Sequence, residues 1–382
     1  MIAQRNGRVI SHFSAERMMD RYSPRARSFG TDRLIVGSWQ LPSSQLPTAN
    51  FQLLWILLPI VLFLPLVAKA QDPQLSQFYA APLYLNPALT GNTYQDRLIA
   101  NYRKQWLGIA PGFETYCVSY DHNLSKAHSG IGGIVMRDKA GTNGLAFTHA
   151  ALCYSFEARL DRKRAVRFGT RLGYTLRDFD RSGYVFADQV IREGASTTVE
   201  NRLIDNVSYF DASGGALYFS EAFWFGVSMN HLNRPQGSLF DGGDARLPVR
   251  TSFHTGFRFA TDGLKLARSK THMTLAAHFK TQGEWDQLDI GAYLDHKDIT
   301  AGLWYRGLPS LKAYKPGYPN DDAIIAMVGF QTSNQFRIVY SYDITISWLT
   351  MRSGGAHELS LIYEWPRRTK NRKWKAVPCP KF

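Results

Sequence analysis

From Arg97 to Trp365 the chain repeats one pattern: short runs in which every second residue is apolar, separated by breaks of very unequal length. In Val166–Arg177, Val166, Phe168, Thr170, Leu172, Tyr174 and Leu176 share one face, and Arg167, Gly169, Arg171, Gly173, Thr175 and Arg177 the other. Phe223, Phe225, Val227 and Met229 alternate with Trp224, Gly226, Ser228 and Asn230, and Leu359, Leu361 and Tyr363 with Glu358, Ser360 and Glu364. A period of two is the signature of a strand, and long helical periodicity is absent. About 14 such segments are predicted, near 97–106, 112–122, 129–138, 144–156, 165–177, 207–219, 222–231, 249–260, 269–282, 286–295, 298–307, 323–332, 335–342 and 356–365.

The breaks sort by parity. Those at 178–206, 232–248, 308–322 and 343–355, the longest, all follow odd strands. The tight ones at Ser220-Glu221, His296-Lys297 and Ser333-Asn334 follow even strands. Long loops at one end and short turns at the other are expected of an all-β, transmembrane, up-and-down antiparallel barrel of the bacterial outer membrane. A soluble β-sandwich has no reason to sort its loops in this way. A mean hydropathy of −0.26 is compatible with a membrane barrel, because only alternate residues meet lipid. With strand 1 running outward, both chain termini are expected in the periplasm.

The front of the chain belongs to export. Phe51–Val67 carries no charge and is followed by Ala68-Lys69-Ala70, a small-x-small pattern. Residues 51–70 read as a secretory signal core with cleavage between Ala70 and Gln71. Pro59 and Pro65 argue against a membrane-spanning helix. Residues 1–50 are too long for an ordinary n-region and read as a start codon placed too early, or as an extended n-region. Residues 71–96 then form an N-terminal arm, 97–365 the barrel, and 366–382 a basic appendage.

The net charge is +14. Arg5, Arg8, Arg17, Arg21, Arg25, Arg27, Arg33 and Lys69 against Glu16, Asp20 and Asp32 leave +5 of it in residues 1–70. No basic stripe with interleaved aromatics suggests nucleic acid. Cys117, Cys153 and Cys379 are isolated, so no zinc pattern appears, and one disulfide of undetermined pairing is allowed. No cofactor and no enzymatic activity are expected.

The opening Gln71-Asp72-Pro73-Gln74-Leu75-Ser76-Gln77-Phe78-Tyr79 and Pro82-Leu83-Tyr84-Leu85-Asn86-Pro87-Ala88-Leu89-Thr90-Gly91 resembles the start of the PorP/SprF family. The resemblance continues in order through Tyr102-Arg103-Lys104-Gln105-Trp106, Ser119-Tyr120-Asp121, Gly130-Ile131-Gly132-Gly133, Asp138-Lys139-Ala140-Gly141 and Phe186-Ala187-Asp188-Gln189. Asn230-His231-Leu232, Trp304-Tyr305-Arg306-Gly307, Tyr340-Ser341-Tyr342-Asp343, Gly354-Gly355-Ala356-His357-Glu358 and Cys379-Pro380-Lys381-Phe382 complete it. It covers 71–382. The resemblance implies an outer-membrane component of the type IX secretion and gliding machinery of Bacteroidetes. It further implies support for export or surface attachment of cargo and adhesin proteins through their C-terminal regions, and contact with periplasmic lipoprotein–ring components. A porin or small-solute transporter is the alternative, and an outer-membrane hydrolase a third.

Physical expectations attach to these residues. Asp72-Pro73 and Asn86-Pro87 are turn-and-stop signals, and Gly91 suits positive φ. The arm should plug the lumen, dock a periplasmic partner or pack under the rim. Tyr102, Gln105, Trp106, Trp304 and Tyr305 fall near strand ends, where aromatics anchor barrels at the membrane interfaces. Arg103, Arg167, Arg171 and Arg177 should face inward, because each would cost roughly 2–4 kcal/mol facing lipid at mid-depth. Asp121, Asp138, Asp289, Glu358 and Glu364 are their candidate partners. Tyr342-Asp343 and His357-Glu358 bracket one long break, where they either pin the loop or form a metal or acid–base group, with Ser341, Ser347 and Ser353 close by. The tail carries Arg367, Arg368, Lys370, Arg372, Lys373, Lys375 and Lys381, and is expected to meet an acidic periplasmic surface or fold into the barrel mouth.

Overall fold

Alternation produces the architecture directly. The computed structural model describes residues 72–365 except 94, 109–111, 142–143, 180–186, 193–203, 262–269, 309–319, 333–334 and 348–350. The expected signal segment with its cleavage between Ala70 and Gln71, the tight turn expected at Ser333-Asn334, Cys379 and the basic tail lie outside the described residues. Fourteen antiparallel strands close into one barrel, each paired with its sequence neighbours and β1 with β14.

The strands are β1 (Asp96–Gln105), β2 (Phe113–Leu124), β3 (Ser129–Ala140), β4 (Leu145–Arg159), β5 (Ala165–Phe179), β6 (Asn206–Phe219) and β7 (Phe223–Asn230). They continue as β8 (Arg250–Ala260), β9 (Thr271–Gln282), β10 (Trp285–His296), β11 (Ile299–Leu308), β12 (Asn320–Gln331), β13 (Phe336–Thr345) and β14 (Ala356–Glu364). All 14 expected segments are present.

The outer face is apolar. Tyr116, Val118 and Tyr120 on β2, Phe168, Leu172 and Tyr174 on β5, and Phe223 and Phe225 on β7 are exposed. Their chain neighbours Ser119, Asp121, Arg167, Arg171, Ser228 and Asn230 are buried. That inversion, with polar residues inside and apolar residues outside, is the mark of a lipid-facing barrel. Closure also leaves no unpaired sheet edge, which hydrocarbon would not tolerate.

Loop sorting survives with two exceptions. The breaks 180–205, 231–249, 309–319 and 346–355 all follow odd strands. However, the two-residue turn 283–284 also follows an odd strand, and 261–270, as long as 346–355, follows β8. Loop length is therefore a bias between the two ends, because nothing in the strand pairing itself forbids a tight turn on the long side. The ends are called here the long-break end and the turn end.

Residue 365 leaves at the turn end, where Trp365 N donates to Asp96 O at 3.0 Å. Residue 72 does not share that end. It sits against His231, Arg250 and Gln282, all at the long-break end. Asp72, the first described residue of the arm, thus lies at the end opposite to residue 365, whereas loop parity led to the expectation of both termini on one side, the periplasmic one. From Asp72 to Asp96 the arm traverses the lumen.

Candidate functional site

The arm is built from short turns: 3-10 turns at Phe78–Ala80 and Pro87–Leu89 and one helical turn at Pro82–Leu85. Proline opens two of them, where its missing N–H has no partner to lose. None is stable alone. The arm is fixed by the wall, and almost every residue of 75–91 is buried.

At the long-break end Asp72 is held by three groups. Its Oδ2 lies 2.8 Å from Arg250 Nη1 and 2.8 Å from His231 Nε2, and Gln282 Nε2 donates to Oδ1 at 3.3 Å. His231 adopts φ 58°, and its Nδ1 meets Asp211 Oδ1 at 2.9 Å. Burial opposes charge on both partners, and the pairing overcomes it. Arg250 and His231 hold the Asp72 carboxyl well below the usual carboxylate range. Asp72 and Asp211 raise the His231 imidazole to about 9.

Four residues deeper is a buried charge knot. Ser76 Oγ accepts from Arg103 Nη1 at 2.6 Å and from Arg306 Nη2 at 2.8 Å, and donates to Asp343 Oδ2 at 2.6 Å. The backbone N–H groups of Ser76 and Gln77 donate to the two oxygens of Glu358 at 2.6 and 3.0 Å. Gln77 Nε2 also donates to Ser341 Oγ at 3.0 Å. Arg306 bridges Asp289 at 2.7 Å and Asp343 at 3.0 Å, and Arg103 bridges Asp343 at 2.9 Å and Glu358 at 3.2 Å. Gln74, its amide oxygen turned toward Arg306, accepts from Nε at 2.9 Å. Two guanidinium groups facing three carboxylates would be costly to bury without this dense pairing, although Arg103 Nε, Asp343 Oδ1 and Gln77 Oε1 find no hydrogen-bond partner.

Apolar packing fills mid-barrel. Phe78 meets Trp304 edge-on at 5.1 Å, and Tyr79 stacks on Trp304 and on Tyr293 at 6.2 and 6.0 Å. The Tyr79 hydroxyl meets Met327 Sδ. Trp304 is thus an inward wall residue seated on the arm, which corrects its expected place in an interfacial girdle. Trp304 and Arg306 are two residues apart on one strand, so they share a face. That signal was available in the sequence. Tyr102, whose ring lies 5.0 Å from Tyr116, and Tyr305 do face outward; Trp106 turns at φ 61° against Phe113.

The second half of the arm uses backbone carbonyls. Arg171 donates to Leu83 O at 3.0 Å and to Asn230 Oδ1 at 2.6 Å. Arg167 donates to Thr90 O at 2.9 Å, and Ser228 to Leu85 O at 2.8 Å. Asn86 accepts from Ala88 N at 2.9 Å, capping the Pro87 turn, and donates to Ala216 O and Val227 O at 3.1 Å each. Gly91, at φ +67°, donates to Asp121 Oδ2 at 2.7 Å, and Asp121 also pairs with Arg97 at 2.9 Å. A Cβ on Gly91 would lie 2.6 Å from Gly130 Cα, so both glycines are required where the arm crosses β3.

The expected lumen arginines are inward, but the hydrogen bonds of Arg167 and Arg171 go to arm carbonyls and neutral wall side chains. Glu157 is 4.0 Å from Arg167. Asp138 accepts from Thr115 Oγ1 at 2.5 Å.

The residues bracketing the last long break separate onto two faces. Asp343, Glu358 and Ser341 point in. His357 points out, 2.7 Å from Tyr340 Oη and with its ring 4.8 Å from that of Tyr342. They do not assemble as one acid–base or metal group, because adjacent residues of a strand face opposite ways. Among the described residues no cluster of three or more His, Cys, Asp or Glu is set to hold a metal. Cys117 and Cys153 are buried and free. Gly141 and Gly355 are turn residues at φ 85° and 63°, and Gly307 sits at φ 152° beside the β11 register shift. Asp188 and Gln189 lie on the short helix Ala187–Ile191, where Asp188 pairs with Arg192. Ser76, Arg250 and Asp211 emerge as central only in three dimensions, since their partners lie far away in the chain.

Among the described residues, cavities open at both ends of the barrel. One, about 870 Å³, opens at the long-break end with Asp72, Pro73 and Gln74 in its lining, and with Trp106, Phe113, Phe147, Trp285, Asp138 and Asp321 among its wall residues. The other, about 510 Å³, opens at the turn end between β8 and β13.

The closed wall, apolar exterior and internal arm define a plugged transmembrane β-barrel of the outer-membrane kind. The chain belongs to the PorP/SprF family of type IX secretion system membrane proteins, whose profile matches residues 67–363. Its architecture is similar to that of solved outer-membrane barrels. The CymD monoaromatic hydrocarbon channel is 10% identical, covering 76% of this chain and 94% of that one, with a TM-score of 0.45. The Pseudomonas putida toluene transporter TodX is 9% identical, covering 77% and 94%, with a TM-score of 0.44. Acinetobacter baumannii Omp33 is 8% identical, covering 72% and 100%, with a TM-score of 0.40. Likeness at that level carries no ligand across. No curated protein matches the chain at a significant level.

Proposed function

We propose that this barrel is a non-enzymatic, non-conducting component of type IX secretion that supports the export or surface attachment of cargo or adhesin proteins. In this reading the long-break end meets cargo at the cell surface, and the turn end meets the periplasmic lipoprotein ring. Family membership supports the system. The observation that carries the reading against a solute pore is the arm. Leu83, Asn86, Ala88 and Thr90 are wholly buried inside the barrel, and the wall arginines are hydrogen-bonded to arm backbone. A porin keeps its lumen for water. Here the lumen between the two cavities holds folded chain.

The test has two arms. Purified protein in planar bilayers should show little or no conductance. Detergent extraction from native membranes should co-purify secretion-system components and a secreted cargo protein. Steady porin-like conductance, with no such partners, would replace this reading with the transport one.

A further inference from the structure

The arm fills the lumen unevenly. In its second half it lies mainly against β3 to β7, as the Gly91–Gly130 approach, the Arg167–Thr90 bond and the Ser228–Leu85 bond show, and it reaches β8 only through Asn86 and His254. The opposite wall at the turn end, β8 to β13, is left uncovered, and there the second cavity of about 510 Å³ opens.

Its charge has a positive excess. Arg258, Lys270, Lys297 and Arg337 line it, against Asp295 and Asp298. Asp295 is already engaged: Thr300 Oγ1 donates to it at 2.6 Å and Arg258 Nη2 at 3.4 Å. The buried Nε of Arg258 has no protein partner. Lys270 and Lys297 are exposed at the rim. Like charges gathered in a recess raise the local potential and draw in anions.

We propose that this recess is a docking site for a carboxylate-rich polypeptide segment entering from the turn end. The spread of the cations selects a chain over a single small anion. Arg258 is on β8 and Arg337 on β13, five strand spacings apart, or roughly 24 Å along the wall. One phosphate cannot span that distance, whereas an extended peptide of about seven residues can. Guanidinium groups at both ends also suit bidentate recognition of carboxylates. The binding chemistry stands independently of which side of the membrane the recess faces. That it would meet a periplasmic partner rests on the function proposed above.

The test uses the full-length protein in detergent and fluorescein-labelled octaglutamate, followed by fluorescence anisotropy. Binding is expected, weakening as salt rises. The Arg258→Gln, Arg337→Gln double variant should weaken it about tenfold. Lys270→Gln with Lys297→Gln, at exposed positions that leave the wall intact, should weaken it severalfold. Lys280→Gln, in the other cavity, should change nothing. Equal affinity for octaglutamine, or unchanged binding in both variant pairs, would overturn the proposal, the latter assigning the affinity to the basic residues after 366. Displacement of the peptide by inorganic phosphate at peptide-equivalent concentrations would also overturn it, in favour of a small-anion site. Because it reads the isolated barrel, the assay can fail while cargo export and partner co-purification stand, and the reverse.

Discussion

Asp72 and His231, 159 residues apart in sequence, meet at 2.8 Å, and the far nitrogen of the same imidazole meets Asp211 at 2.9 Å. An imidazole between two carboxylates is a charged latch. It fastens the start of the arm to the first long-break residue after β7.

The latch should depend on pH in a defined direction. His231 is raised from 6.5 to about 9, so its contribution is complete below about 6.5 and is lost as pH rises through 9. Asp72 is depressed from 3.8, so its contribution is present above 3.8 and is lost as pH falls through its lower folded value. The arm should therefore be held best between about pH 4 and 6.5. Hydrogen-exchange protection factors for residues 72–78 should fall between pH 7 and 10, while those of β3 and β4 stay constant. In His231→Gln the fall should vanish, with protection already low at neutral pH.

Arg171 tests whether the wall needs the arm. It reaches two strands and the arm at once, through Ser213, Asn230 and the Leu83 carbonyl. Arg171→Met keeps the stem but strands these acceptors in the lumen, at a cost of about 3 kcal/mol. The heat-modifiable shift on gels should move to a clearly lower temperature. Arg137→Met, at an exposed position, should leave it unchanged.

The ladder was legible because lipid outside and a polar lumen inside impose a period of two on every strand, whatever else the residues do. Arg167, Phe168 and Arg171 announce their faces without knowledge of their neighbours. The arm was not legible in the same way. Asp72-Pro73 and Asn86-Pro87 mark turns correctly, but a turn does not say where the chain goes next. Its course is written in contacts such as Ser76 with Asp343 and Asn86 with Val227, between residues with no shared local pattern. Loop parity suggested a start at the turn end for the arm, since it reports where strands begin, and the arm is not a strand. Trp304 shows the opposite failure. Its inward face was readable from Arg306 two residues on, yet its closeness to a strand end suggested a girdle.

The Gly91–Gly130 crossing should be intolerant of any side chain. Gly91→Ala combines strain at φ +67° with a Cβ 2.6 Å from Gly130 Cα and 2.8 Å from the His122 carbonyl. Backbone atoms cannot rotate away, so the arm must lift from β3. A loss of about 2–3 kcal/mol is expected, read as a lower unfolding temperature. Gly133→Ala, where the nearest atom would be 3.6 Å away, should be nearly neutral.

Phe78 gives the clearest measure of how much the apolar part of the arm contributes. Its ring lies edge-on to Trp304 at 5.1 Å and 4.7 Å from His278, and it is 7% exposed. Phe78→Ala should cost about 3–5 kcal/mol, because Trp304 and His278, which its ring meets, are fixed in strands and cannot collapse into the space. Phe78→Leu should recover more than half. Since Trp304 is the indole packed on this ring, the Ala variant should also red-shift part of the intrinsic tryptophan emission as water reaches the lumen. A loss of stability without any spectral change would mean that the arm moves as a whole to refill the gap. In that case planar-bilayer conductance should stay as low as in the unaltered protein, whereas a gap left open beside Trp304 should raise it.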